Sequence, residues 1–249
     1  MFSLKEHAPR LASILLFFLL WEVGALALDN RLLPSPGAVF SILLDGLKSG
    51  EIPYHIAITL GRVAASFVLA MAIGSAIGIA MGRSRLLDRL FDSWLIFFLN
   101  VPALVVILLA YVWFGLIEAA AILAVAVNKI PNIAVTLREG SRALDRDYLD
   151  MAKSFHLSSI RTFRHVILPQ LSPYFLASAR SGLALIWKIV LVVELLGRSD
   201  GVGFQLHLYF QLFDVSSILA YTLAFIAVVL VIEMTAFRPL DRRALRWRR

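Results

Sequence analysis

Six apolar runs, each long enough to cross a bilayer, constrain this chain more than any other feature: 11–28, 57–81, 93–113, 116–136, 171–195 and 217–237. A spanning helix needs about 20 predominantly apolar residues to cover roughly 30 Å of hydrocarbon. Inside that layer every backbone N–H and C=O must be satisfied within the segment, which open strands cannot do. The expectation is an all-α polytopic membrane protein with six transmembrane helices, forming one domain over residues 1–249. Composition agrees, with 60% hydrophobic residues, 16% charged and a mean hydropathy of +0.82. A soluble domain is about 45–50% apolar and about a quarter charged.

The run at 11–28 follows Lys5 and Arg10, as a signal peptide would. It carries Trp21 and Glu22 and lacks a clear small-x-small cleavage site, so it reads as a retained anchor. Gly74, Gly78 and Gly82 recur every fourth residue in the second span, a flat stripe suited to close helix packing.

Orientation follows from the basic residues. With the N-terminus inside, the inner segments hold 17 of the 24 Lys and Arg, and the outer segments only Arg31, Lys48 and Arg198. Positive charge is retained on the cytoplasmic side, so both termini and the loop 137–170 are expected there. The outer segment 29–56 has an amphipathic stretch, Val39, Phe40, Leu43, Leu44 and Leu47, that could lie in the membrane interface.

The net charge of +7 does not point to nucleic acid, because the basic residues are scattered between apolar runs and form no stripe with interleaved aromatics. Cysteine is absent and the five histidines are dispersed. There is no phosphate loop, metal-binding H-E-x-x-H helix or nucleophile elbow, and GRSDGVG at 197–203 reads as an external turn. No catalytic residue, bound metal or cofactor is expected in this chain. Energy for any active process must come from another subunit.

In the inner segment 137–170, Tyr148, Met151, Ala152 and Phe155 fall at i, i+3, i+4 and i+7, the spacing of a short amphipathic helix. Ser158 and Ser159 could cap a second helix bearing Ile160, Phe163 and Ile167, with Pro169 restarting the chain toward the next span. The apolar stripe either seats in a groove of a partner protein or folds back on the chain's own helix ends.

The segment SRALDRDYLDMAKSFHLSSIRTFRHVILPQLSP, 141–173, resembles the EAA loop of binding-protein-dependent ABC importer permeases. Asp150, Met151 and Ala152 stand at the Glu-Ala-Ala positions, His156 at the usual glycine, and Ile167, Leu168 and Pro169 at the apolar-x-Leu-Pro end. Leu33 to Pro36, TLGRV at 59–63, Gly82 to Arg85, Val101-Pro102, Trp113 to Gly115, Thr136 to Arg142 and Gly201 to Gly203 extend the likeness. It is closest to permeases for nitrate, taurine, aliphatic sulfonates and similar anions. The resemblance implies a type I importer permease in a bacterial cytoplasmic membrane. Its implied partners are a second copy of itself, two ATP-binding cassette ATPase subunits that bind ATP and magnesium, and an external solute-binding protein. It also implies ATPase docking on Tyr148, Asp150, Met151, Ala152, Phe155, His156, Leu157, Ser158 and Arg161, with coupling through 147–168. Histidine at 156 is compatible with a helix ending in the left-handed conformation.

Ionisable groups within the spans are costly unless they face protein or water. Arg62, Glu118, Lys188 and Glu194 cluster toward the outer side and are the candidates for a translocation pathway. Structural salt bridges such as Lys188 with Glu118 would account for the same residues. Glu22, Lys129, Arg180 and Glu233 lie nearer span ends or polar neighbours, where snorkelling or pairing is expected.

Overall fold

The computed structural model describes residues 4–28 and 32–237, and all its regular elements are helical. In chain order they are α1 (Leu4–Leu28), α2 (Pro36–Ser49), α3 (Glu51–Arg83), α4 (Arg85–Asn100), α5 (Ala103–Phe114), α6 (Glu118–Arg142), α7 (Arg146–Ser154), α8 (Ser159–Thr162), α9 (Leu168–Gly197), α10 (Val202–Gln211) and α11 (Val215–Ile232). A π turn at Phe163–Ile167 joins α8 to α9, and another at Glu233–Phe237 follows α11. Arg31 and the six C-terminal arginines of the charge argument lie outside the described residues.

The boundaries follow local chemistry. Ser35 caps α2 by accepting from the Ala38 amide at 3.3 Å, with Pro36 in the first turn. Gly50, at φ 82°, separates α2 from α3. Ser84 ends α3 and caps α4 through the Leu87 amide.

Against six expected crossings, the described residues hold four helices long and apolar enough to cross a membrane, Glu51–Arg83, Glu118–Arg142, Ser159–Gly197 and Val215–Thr235, and a bent pair, Arg85–Asn100 with Ala103–Phe114, that makes a fifth where it counts as one span. The run at 93–113 is not a straight helix: α4 and α5 meet at 95° across Val101-Pro102. Pro102 has no N–H to continue α4 and pushes Val101 into extended geometry. Ala12–Leu28 within α1 is a shorter apolar stretch. Pro169 does not restart the chain, because α8, the π turn and α9 run on as one helix with Pro169 in the first turn of α9. Val39 is fully buried and α2 packs on α11 and α3, while Phe40, Leu44 and Leu47 stay exposed.

The central packing is α3 against α6, two helices that run parallel in constant register. Arg62 meets Glu118, Ser66 Oγ donates to the Ile122 carbonyl, and Gly74, Gly78 and Gly82 lie on Ile133, Ala134 and Ser141. A Cβ on Gly74 would stand 2.8 Å from that of Ile133, so the glycine stripe sets the approach of the two backbones. Helix α9 lies antiparallel to α6, with the Tyr174 ring over Gly140. The larger core fills the outer half around Ile107, Ile186, Trp187, Val190 and Phe225.

Candidate functional site

Two polar constructions stand out at opposite ends of the bundle. At the outer end, His55, Thr59 and Arg62 share one face of α3 at helical spacing, turned toward the end of α9 and the turn before α10. Arg62 is 3% exposed, and all five of its N–H donors are used. Nε and Nη2 grip the two oxygens of Glu118 at 2.7 and 2.9 Å. Nη1 donates to Glu194 Oε1 at 2.8 Å and to the Asp200 carbonyl at 2.9 Å, and Nη2 also reaches the Asp200 carboxylate.

Glu194 is completely buried and its second oxygen accepts from Thr59 Oγ1 at 2.9 Å and the Gly203 amide at 2.8 Å. The 198–203 turn is therefore folded inward onto α3. Its amides from Gly201, Val202 and Gly203 go to His55 Nδ1, Thr59 Oγ1 and Glu194. Gly201 has φ 99°, and any Cβ there would strike the Glu194 carboxylate. His55 Nδ1 accepts from the Gly201 amide, and its Nε2 lies 2.7 Å from the Gln205 side-chain nitrogen.

Of the four pathway candidates, Arg62, Glu118 and Glu194 come together and Lys188 does not join them. The suggested pair of Lys188 with Glu118 is absent: Glu118 is held by Arg62 and by Arg198 at 2.9 Å, while Lys188 is exposed on α9. Sequence reasoning missed His55, Thr59, Arg198, Asp200 and Gln205. The signal for the first two was the i, i+4, i+7 spacing of His55, Thr59 and Arg62, three polar residues on one face of an otherwise apolar helix.

Lys129 does not snorkel and has no ion-pair partner among the described residues: it is 3% exposed, in the middle of α6. Arg180 is paired, with Glu233 at 2.7 Å.

At the other end lies the α7–α8 loop. Asp145 caps α7 through the Asp147 amide at 2.9 Å, and its own amide is tied to Gln170 of α9 at 2.9 Å. Helix α7 ends at His156, at φ 50°, with the Leu157 amide on the Ala152 carbonyl and the His156 amide on that of Lys153, both 2.9 Å. This is the left-handed termination expected for that position. Ser158 caps α8 through the Arg161 amide, also as expected.

The apolar stripe divides. Tyr148, Met151 and Phe155 are exposed, Phe155 by 75%, and Ile160 and Phe163 extend the same exposed set. Ala152, expected among them, is 1% exposed because α7 lays that side on the 163–167 turn. Asp150 accepts from Lys153 at 2.8 Å, which holds its carboxyl below the usual carboxylate range. Beside the loop, Arg138 and Arg142 bind Asp88, Asp92 and Glu139 and tie α4 to α6. Among the described residues, no three or more His, Cys, Asp or Glu side chains are grouped to hold a metal ion.

Residues 70–243 match the family described as binding-protein-dependent transport system inner membrane component. The chain is 31% identical to a protein of Escherichia coli (strain K12) named as an aliphatic sulfonates transport permease, over 91% of this chain and 87% of that one. It is 28% identical to the taurine transport system permease of the same organism, over 91% and 84%. It is also 28% identical to a bicarbonate transport system permease of Synechococcus elongatus, over 90% and 84%. A crystal structure of an amino acid ABC transporter has the same fold, with a TM-score of 0.62 at 20% identity over 81% of this chain and 98% of that one. An all-helical, multi-pass architecture, the family match and relatives covered over most of their length lead to one conclusion: the chain belongs to the binding-protein-dependent transport permeases, the membrane-spanning subunits of ABC importers.

Proposed function

We propose that this permease passes a small anionic solute inward, and that ATPase subunits drive it by seating on the α7–α8 loop. The observation that carries the docking assignment is the exposed set Tyr148, Met151, Phe155, Ile160 and Phe163 on a loop whose backbone is rigidly capped and tied to α9. Apolar side chains on a water-facing loop need a protein groove. Ala152 supports that surface from beneath, and Asp150, His156, Leu157, Ser158 and Arg161 shape it.

A solute-binding protein delivers the anion at the outer end, two copies of this chain enclose the path, and ATP with magnesium is bound by the partner ATPases. Both termini and the loop face the cytoplasm in this scheme, which the excess of basic residues in the inner segments supports. In this scheme Lys188, an exposed cation in the outer half of α9, lines the path. Arg62, Glu118 and Glu194 form a clasp that closes its outer end. The anionic class is supported by the names of the sulfonate, taurine and bicarbonate relatives.

The test is reconstitution of the permease with its ATPase and binding protein in proteoliposomes. Uptake of a sulfonate, taurine or bicarbonate that depends on internal ATP and drops on Lys188→Ala is the expected result. Uptake of none of these anions would remove the solute assignment, and ATPase that co-purifies unchanged with a loop variant such as Phe155→Glu would remove the docking assignment.

A further inference from the structure

Helix α4 divides into two faces. Arg85, Asp88, Arg89 and Asp92 recur at i, i+3, i+4 and i+7, and Leu87, Phe91, Trp94, Leu95 and Phe98 fill the other side. Because α5 packs on α6 and α4 turns through 95° from α5, α4 crosses the end of the bundle. Its level is set by Asp88 and Asp92, which pair with Arg138 and Arg142 of α6. Arg138 lies about 30 Å below Glu118 at the helical rise, the thickness of the hydrocarbon layer. The polar face of α4 therefore sits at headgroup depth with its apolar face turned into the layer, the placement of an interfacial helix.

Two independent features meet at this helix. Between its apolar face and helices α3 and α6 runs a groove of about 370 Å3, with a wholly apolar wall that includes Met81, Phe91, Trp94, Phe98, Ile130 and Pro131. Leu95, buried with Met81 and Ala134, pins α4 to both helices beside it. The second feature is the set Arg83, Arg85 and Arg89, all exposed and none with a hydrogen-bond or ion-pair partner through its side chain among the described residues. The nearby carboxylates are already engaged, since Asp88, Asp92 and Glu139 are held by Arg138 and Arg142. Ala80, Leu87 and Phe91 of the groove wall stand within three residues of these arginines, so the cations rim the apolar cleft. Long apolar stems let their guanidinium groups reach the headgroup layer from there.

We propose that this groove holds one acyl chain of an anionic phospholipid, whose phosphate headgroup is bound by Arg83, Arg85 and Arg89. An uncharged apolar occupant would leave three cations bare at the rim, and a free phosphate would leave the cleft unfilled. A lipid with a negative head satisfies both. Which leaflet supplies it rests on the cytoplasmic orientation proposed above; the site itself does not.

The experiment is acyl-chain quenching of Trp94 in the purified transporter complex. The complex is placed in phosphatidylcholine vesicles with a rising fraction of phosphatidylglycerol brominated on its chains. The signal is the fluorescence difference between the unmodified complex and Trp94→Phe. It should be quenched saturably, at a lower fraction of this lipid than of phosphatidylcholine brominated in the same way. Arg89→Gln should raise the half-saturating fraction about fivefold, the effect of one basic residue at an anionic surface. The combined Arg83→Gln, Arg85→Gln and Arg89→Gln variant should lose the preference, and Lys48→Gln, exposed at the end of α2, should keep it. Ala80→Phe, which fills the groove and leaves the arginines in place, should also lose it. Equal quenching by the two lipids in the unmodified complex marks ordinary boundary lipid and overturns the proposal. Quenching by neither shows the groove covered by a second copy and overturns it as well. So does a preference that survives the combined variant or Ala80→Phe. If the combined variant does not fold, Arg89→Gln and Ala80→Phe decide by the same readings. Vesicles offer the lipid on both faces, so an inverted orientation of the chain would leave the result unchanged.

Discussion

Arg62 on α3 and Glu194 on α9 meet at 2.8 Å inside the protein, across 132 residues of chain, with the arginine 3% and the glutamate 0% exposed. Neither is an isolated charge. The guanidinium contacts three carboxylates, of which Glu194 also accepts from the Thr59 hydroxyl and the Gly203 amide and Glu118 pairs with Arg198.

Removing one member of such a network should cost more than the network contributes, because the partners stay buried and unpaired. Arg62→Met is expected to destabilise the subunit by about 3–5 kcal/mol. The double variant Arg62→Met with Glu194→Gln should lose less than the sum of the single variants. Melting of the purified permease in detergent measures both, and strictly additive losses would reject the coupling.

The α3–α6 seam predicts a sharp contrast between two glycines on one helix. A Cβ on Gly78 would run into the Ala134 carbonyl, which is backbone and cannot swing aside. Gly78→Ala should therefore cost about 1–3 kcal/mol or more through overpacking. Gly61 is exposed with nothing within 4 Å of an added methyl, and Gly61→Ala should leave melting unchanged. Equal tolerance at the two positions would show that the helices do not approach this closely.

Phe155 and Ala152 sit three residues apart but should fail differently. Phe155→Glu alters an exposed side chain, so the permease should melt normally and lose its ATPase on co-purification. Ala152→Glu buries an unpaired charge within the subunit itself, at a cost of several kcal/mol, and should disorder the loop before docking is attempted. Hydrogen exchange over residues 146–167 together with co-purification separates the two. Release of the ATPase by Ala152→Glu with unchanged exchange would place that residue in the contact instead.

Orientation is checked by Ser154→Cys in the docking loop and Ser49→Cys at the end of α2, both exposed positions. In intact cells an impermeant thiol reagent should label the second and spare the first. Equal labelling would overturn the arrangement of the spans.

Much of this architecture was legible because membrane helices announce themselves by composition. The glycine stripe, the helix end at His156 and the Ser158 cap each reflect local rules that need only a few neighbouring residues. What escaped were relations that only the fold creates. Hydropathy carries no direction, so the run at 93–113 gave no sign of turning through 95° at Pro102. Spacing placed Ala152 with Met151 on one stripe but could not say where the subunit's own turn would cover it. The outer cluster was half visible: its charges could be named, but pairing Arg62 with Asp200 and Glu194 requires α3 to lie beside the turn after α9. Lys129 was assigned to snorkelling or pairing by default, and only the packed bundle reveals that it is buried with no partner among the described residues.

Residues 159–197 form one uninterrupted helical run of 39 residues, about 58 Å at 1.5 Å per residue. It starts within the docking loop and ends three residues beyond Glu194. On the docking proposed above, the receiver of the ATPase stroke and the bearer of the Arg62–Glu194 pair belong to one helical run, with a π turn near its inner end. Linkage then acts in both directions. On that proposal, whatever an external partner spends in loosening Arg62 from Glu194 reappears, with the same coupling free energy, in how tightly the motor subunit seats on the far side of the membrane.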